Sequence, residues 1–101
     1  MRSRFYTDRE GYASIKKDKD SVEDFSRDWS GYLSDDSDTI STSTWAVESG
    51  SVTIDSSSNS TTKANVWLSG NPGSMSVVRN RIVTAQGRTR DWTMRVYGLE
   101  K

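Results

Sequence analysis

The sequence predicts a small all-β sandwich with an N-terminal arm. Short strand-like runs recur at roughly ten-residue spacing with turn signals between them. No stretch carries the three-to-four-residue apolar period of a helix. Serine and threonine make up 28 of the 101 residues, a composition that suits exposed sheet faces and edge loops.

Residues 1–21 lack a clean period, and "KKDKD" reads as a charged cluster that a core cannot use. This segment is expected to be a flexible arm, with the folded domain running from 22 to 101. Phe5, Tyr6, Tyr12 and Ile15 within it either order on a partner or pack on the domain edge. From Val22 the pattern is one of strands. "VEDFSRDW" sends Phe25 and Trp29 inward, and "SGYLSDDSD" breaks the run with glycine and an acidic turn, Tyr32 and Leu33 plugging one end of the core. "TISTSTWAV" favours a strand. Ile40 and Trp45 are five positions apart, so both face inward only if a bulge shifts the register between them. "SVTID" alternates with Val52 and Ile54 on one face, and "KANVWLS" with Ala64, Val66 and Leu68 inward and Trp67 outward. In "MSVVRNRIVT" the arginines mark the solvent face, leaving Ser76, Val78, Asn80, Ile82 and Thr84 for the other. "AQGR" makes a tight hairpin through a positive φ at Gly87. "TRDWTMRVYG" closes the domain with Trp92, Met94 and Val96 inward and Thr93, Arg95 and Tyr97 outward.

Composition excludes much chemistry. With no cysteine and no histidine, there are no disulfides, no thiolate metal sites, and neither the commonest zinc ligand nor the commonest general base. Serine is abundant, but no G-x-S-x-G, S-x-x-K or Gly-rich phosphate loop accompanies it. No enzymatic activity and no cofactor are expected. Asp35, Asp36 and Asp38 share one loop, which nothing in the sequence desolvates, so they read as a solvated turn or a weak calcium site rather than a catalytic pair. No apolar run approaches membrane-span length and no signal segment opens the chain, so synthesis in the cytoplasm without secretion is expected.

The charge sums to zero but lies in blocks: net +3 over residues 1–17, −8 over 18–55 and +5 over 56–101. Either the acidic and basic blocks satisfy each other within one domain, or they form poles that select a partner or a second copy. Five arginines fall in residues 77–96, of which Arg79, Arg81 and Arg95, with Arg88 and Arg90 as further candidates, share an outer sheet face with Tyr97. Zero net charge argues against nucleic acid. A protein interface and a solvated face with cross-strand pairs to Asp91 or Glu100 both remain open.

The succession "DFSRDWSGYL", "DTISTSTWAV", "GSVTIDSSSNSTTKANVWLSG" and "VVRNRIVTAQGRTRDWTMRV" resembles a group of short tailed-phage and prophage proteins, the fiber–tail adaptors, over about residues 22–97. "GNPGSMSVVRN" and Trp92 depart from the pattern, and the arm has no counterpart in it. The resemblance implies an immunoglobulin-like β-sandwich acting as a structural virion protein of the tail or neck. Its expected partners are other tail, neck or fibre proteins and copies of itself in a symmetric assembly, with no membrane contact. On that reading Arg79, Arg81, Arg95 and Tyr97 form one contact surface and Asp35, Asp36 and Asp38 another. A capsid decoration domain shares the fold. The alternative of another class is a glycan-binding, calcium-dependent sandwich using Trp67 or Tyr97 as a stacking platform.

Overall fold

Two-residue alternation decides which side chains reach the interior. The computed structural model describes residues 6–7, 13–18, 20–35 and 37–98, and among these it holds eight strands and one helical turn. A five-stranded sheet runs β1 (Tyr6–Thr7), β2 (Ala13–Lys17), β8 (Thr89–Gly98), β7 (Met75–Thr84) and β4 (Ile40–Ser49). A three-stranded sheet runs β3 (Glu23–Asp28), β6 (Lys63–Ser69) and β5 (Thr53–Asn59). All pairs are antiparallel except β2 with β8. The expected all-β sandwich is what forms. In the constant-type immunoglobulin arrangement the first strand lies beside the second; here the first long strand, β2, lies beside the last.

The core forms where the two inner faces meet. Phe25, Val66 and Leu68 from one sheet pack with Ile15, Val78, Met94 and Val96 from the other. A second cluster, Trp29, Leu33, Ile40, Ala64 and Ile82, fills the end beneath the β7–β8 hairpin. Trp45 and Trp92 pack against both clusters and join them. Trp45 can do so because the β4–β7 register shifts between Ile40 and Thr42, the bulge that the five-residue spacing required. The hairpin closes as expected, with Gly87 at φ 90° and Thr84 and Arg88 bonded through Thr84 N–H to the Arg88 carbonyl at 2.8 Å.

Two parts of the chain depart from the sequence reading. Residues 30–34 form a helical turn, α1, where a break was expected. The Asp28 carboxylate accepts the Ser30 N–H at 2.9 Å, which favours helical entry, and the turn delivers Leu33 into the core. The larger departure concerns the arm. Ala13–Lys17 is a core strand, parallel to β8 from Ala13↔Met94 to Lys17↔Gly98. Phe5 and Tyr12 lie outside the described residues.

Lys17 explains why a charged run enters the core. It is fully buried, and its ammonium donates to three backbone carbonyls: Asp18 at 2.9 Å, Ser21 at 2.6 Å and Gly70 at 2.7 Å. An ammonium has three protons to give, and all three are used. The bond to Gly70 ties β2 to the loop after β6, so the lysine fastens the first core strand to the opposite sheet. Asn80 does similar work in the middle of the sandwich. Its Oδ1 accepts the indole N–H of Trp29, the residue that follows β3, at 2.9 Å, and its Nδ2 donates to Ser43 Oγ and the Thr44 carbonyl at 3.0 Å each. At the Lys17 end, Gly50 (φ 94°) lies against β7, and a Cβ there would sit 2.6 Å from Ser76 Cα.

Two stability measurements follow from these bonds. Lys17→Met strands three partly buried carbonyls and is expected to cost about 3 kcal/mol, a fall of roughly 15 °C in the thermal melt followed by circular dichroism. Asn80→Ala is expected to cost about 2 kcal/mol, and Asn80→Ala combined with Trp29→Phe should cost less than the two single losses added, because both remove the same bond.

Candidate partner-binding surfaces

β7 and β8 place four of the predicted residues together. Their register sets Met75 opposite Tyr97, Val77 opposite Arg95, Arg79 opposite Thr93 and Arg81 opposite Asp91. Arg79, Arg81, Arg95 and Tyr97 therefore share the outer face of the five-stranded sheet, joined from β2 by Lys16, opposite Tyr97. The face is partly self-satisfied. Arg81 makes two hydrogen bonds to Asp91, at 2.7 and 3.0 Å, and Arg79 meets Glu48 at 3.0 Å. The Asp91 hydrogen bond and charge raise the Arg81 pKa further, and the same bond holds the Asp91 carboxyl below the ordinary carboxylate value, against a smaller opposing effect of burial. Glu100 lies outside the described residues. Arg90 leaves this face: it pairs with the inward Ile82 position, and its guanidinium lies 5.1 Å from the Tyr32 ring.

The acidic trio is divided. Asp35 is exposed at the end of α1, and Asp36 lies outside the described residues. Asp38 is buried. Its Oδ1 accepts the N–H groups of Thr39 at 2.9 Å and Gln86 at 3.2 Å, tying the segment before β4 to the β7–β8 hairpin. Burial pushes its carboxyl pKa upward, but hydrogen bonds from the Thr84 hydroxyl, Thr39 and Gln86, with the nearby Arg88 charge, outweigh burial and leave it below the ordinary value. Asp38 is thus a structural carboxylate, not the solvated surface acid that its neighbours in sequence suggested. Among the described residues no group of three acidic side chains is placed to hold a metal ion.

Sequence reasoning missed the use made of Arg27. It lies in the Phe25–Arg27–Trp29 alternation and packs between two indoles, 4.9 Å from the Trp29 ring and 5.1 Å from the Trp92 ring. Trp92 in turn meets Trp45 edge-on at 6.4 Å, and Trp29 meets Tyr32 at 5.8 Å. Burial lowers the Arg27 pKa, and the adjacent Asp28 charge partly restores it. Cation–π contact is the compensation available to a half-desolvated guanidinium. The same-face alternation with two aromatics was the available signal.

The outer face of the three-stranded sheet is different in kind. Trp67 stands at its centre on the middle strand, 41% exposed, with Asp24 opposite it on β3 and Ser56 opposite it on β5. Most of its neighbours are short and polar: Ser26 donates to Asn65 Oδ1 at 2.7 Å, and Ser69 to Asp55 at 2.9 Å. Asp28 faces Lys63 on the same side. Among the described residues this face thus carries Asp24, Asp28, Asp55 and Lys63.

A family model described as podophage GP4 fiber-tail adaptor protein gp77 matches residues 17–97, from the buried lysine to the next-to-last residue of β8. No curated protein matches the chain.

Acid should unfold this protein through its structural carboxylates. Asp28 (held low chiefly by the Ser30 N–H), Asp38 and Asp91 all lie below their ordinary values. Each binds its proton more weakly folded than unfolded, so its contribution is full above the unfolded pKa and is lost as pH falls through the folded one. With no histidine, denaturant melts should give constant stability from about pH 6 to 8 and a decline below about pH 4. Asp38→Asn should reduce the acid-dependent part of that decline.

Proposed function

The chain belongs to the podophage GP4 fiber-tail adaptor family, and from that premise we propose that it is a non-enzymatic virion protein joining tail, neck or fibre components. The observation that carries this reading is the extent of the match, which runs from the lysine that fastens β2 to the sandwich through β3–β7 and nearly to the end of β8. The shared unit is thus most of the sandwich, β2 entering it only through Lys17.

The chemistry of the described residues supports a structural role. The shifted groups described above are engaged in holding the fold or a cross-strand pair: Arg27 between indoles, Asp28 on α1, Asp38 on the hairpin, and Arg81 with Asp91. Rigid sheets hold the contact surfaces in fixed relation, which is what a joint between two protein components requires. The outer face with Arg79, Arg81, Arg95 and Tyr97 is the docking surface on this reading, since arginine and tyrosine favour protein interfaces. Two of its arginines already hold carboxylates of their own chain, which disfavours nucleic acid as the occupant. Of the acidic trio Asp35 is exposed and is the residue offered for a second contact. No helix among the described residues is long and apolar enough to cross a membrane, and the partners are other virion proteins and copies of this chain.

The test is capture. The purified chain, immobilised, should retain a tail, neck or fibre protein from the same virion when each is offered singly. Retention should weaken as salt rises from about 0.05 to 0.5 M, because the contact is partly electrostatic. Failure to retain any of them would overturn the adaptor reading.

A further inference from the structure

The two sheets end in four edge strands, and three of them are guarded against further pairing. In its described part β1 has two residues. β3 carries Glu23, Asp24, Arg27 and Asp28 along its short length. β5 is broken by a register shift between Ile54 and Ser56, with Asp55 at the break. Short length, charge and bulges are devices that keep an open edge from adding a strand. β4 is different. It ends the five-stranded sheet and is uncharged from Ile40 to Val47, with threonine, tryptophan and valine, residues suited to strands, in its middle. Its two register shifts lie at its ends, and residues 42–47 between them pair with 78–83 without a break.

The register fixes which backbone groups are left over. Thr84 N–H bonds the Arg88 carbonyl, so the even-numbered residues of β7 turn their backbone groups to β8 and the odd-numbered ones to β4. The Thr44 hydroxyl, 3.4 Å from the Arg81 carbonyl, agrees. Thr42, Thr44 and Ala46 face Val83, Arg81 and Arg79 and bond to them. Ser43, Trp45 and Val47 turn their N–H and C=O groups the other way, where β4 has no neighbour in its sheet. β5, next in the chain, bonds only β6. Outside the strand ladders, the backbone bond made by β4 among the described residues is at its start, from Ile40 N–H to the Thr61 carbonyl.

We propose that β4 pairs with β4 of a second copy, antiparallel about a two-fold axis at Trp45, so that two five-stranded sheets join into one. An open strand edge takes another strand, so the occupant must be extended, regular and itself unpaired on one side. Among the described elements β4 alone meets all three conditions. The pairing is also self-complementary. With Trp45 opposite Trp45, Ser43 of one copy meets Val47 of the other and Thr44 meets Ala46, while Glu48, the first charge along the strand, meets Thr42 rather than a second carboxylate. Ser43, Trp45 and Val47 of the two copies then exchange about six backbone hydrogen bonds over about 20 Å of strand. A two-fold contact closes on itself, and the edges that remain are the guarded ones, so the assembly stops at two. This inference deepens the reading in which copies of this chain are among its partners, and rests on it. Its test uses the chain alone, so failure here leaves the capture of tail and fibre proteins as a separate result.

The experiment follows the purified chain from about 0.01 to about 0.5 mM, a range that reaches weak contacts, by sedimentation and by amide hydrogen exchange read residue by residue. A dimer should form as concentration rises. In it the amides of Ser43, Trp45 and Val47 should exchange at least about tenfold more slowly, while those of Thr42, Thr44 and Ala46, already bonded to β7, change little. Because the pairing run is uncharged, the dimer should persist in about 0.5 M salt. Thr44→Lys with Ala46→Lys sets lysine against lysine across the axis and should leave a folded monomer. Thr44→Cys mixed with Ala46→Cys should cross-link under mild oxidation faster than either variant alone, because these two positions meet and the chain has no other cysteine. That readout stands where the lysine pair unfolds the chain. A chain that stays monomeric throughout would overturn the proposal. So would a dimer whose Ser43, Trp45 and Val47 amides remain unprotected, a folded double-lysine variant that still dimerises, or cysteine variants that cross-link no faster mixed than alone.

Discussion

The structure depends on a shortage of apolar side chains. Only 32% of the residues are hydrophobic, and a two-sheet sandwich still has to fill the space between its sheets. The chain fills it partly with polar groups, and a buried polar group is tolerated only when it is hydrogen-bonded. Lys17, Asn80, Ser76, Thr84 and Asp38 are all buried. Each is bonded, and most of those bonds run between elements distant in sequence. Lys17 reaches the Gly70 carbonyl, Asn80 reaches Trp29, Ser76 receives the Ser51 N–H and donates to the Pro72 carbonyl, and Asp38 reaches Gln86. Polar groups bonded in this way also specify register, because these bonds form in one arrangement of strands.

That economy orders the molecule from end to end. The lysine end gathers the loops around Ser21, Gly50 and Gly70, while the hairpin end gathers α1, Asp38 and the Trp29–Arg27–Trp92 stack. Between them the Trp29–Asn80 bond ties the residue after β3 to β7. Loops held at both ends leave the two outer faces as broad, fixed surfaces, which is what the adaptor family's role asks of a small domain.

Chain connectivity turns blocks of charge into faces. The acidic block supplies β3 and the first part of β5, which flank Trp67 on one sheet, and the basic block supplies β7 and β8 on the other. Where the blocks mix, they pair: Glu48 of the acidic block meets Arg79 on the basic face. Internal pairing and residual polarity thus coexist. The local pairs are exposed and contribute little to stability.

The sequence by itself determined β3 to β8, their facing and most of their punctuation, because those depend on the two-residue period and on local backbone chemistry, while β2 stayed hidden in a charged run. Ala64, Val66 and Leu68 against Trp67, the bulge in β4 and the turn at Gly87 were all legible for that reason. Of the candidate site, the shared face of Arg79, Arg81, Arg95 and Tyr97 was legible through the same alternation. Only the tertiary structure decided what the polar residues do. Lys17 and Asp38 sit in runs of charge that look solvated, and their burial depends on carbonyls and N–H groups supplied by loops 53 and 48 positions away. Arg27 looks like one more surface charge until Trp92 arrives from β8. A side chain's period is written locally, but the partner that lets a charge leave water is not.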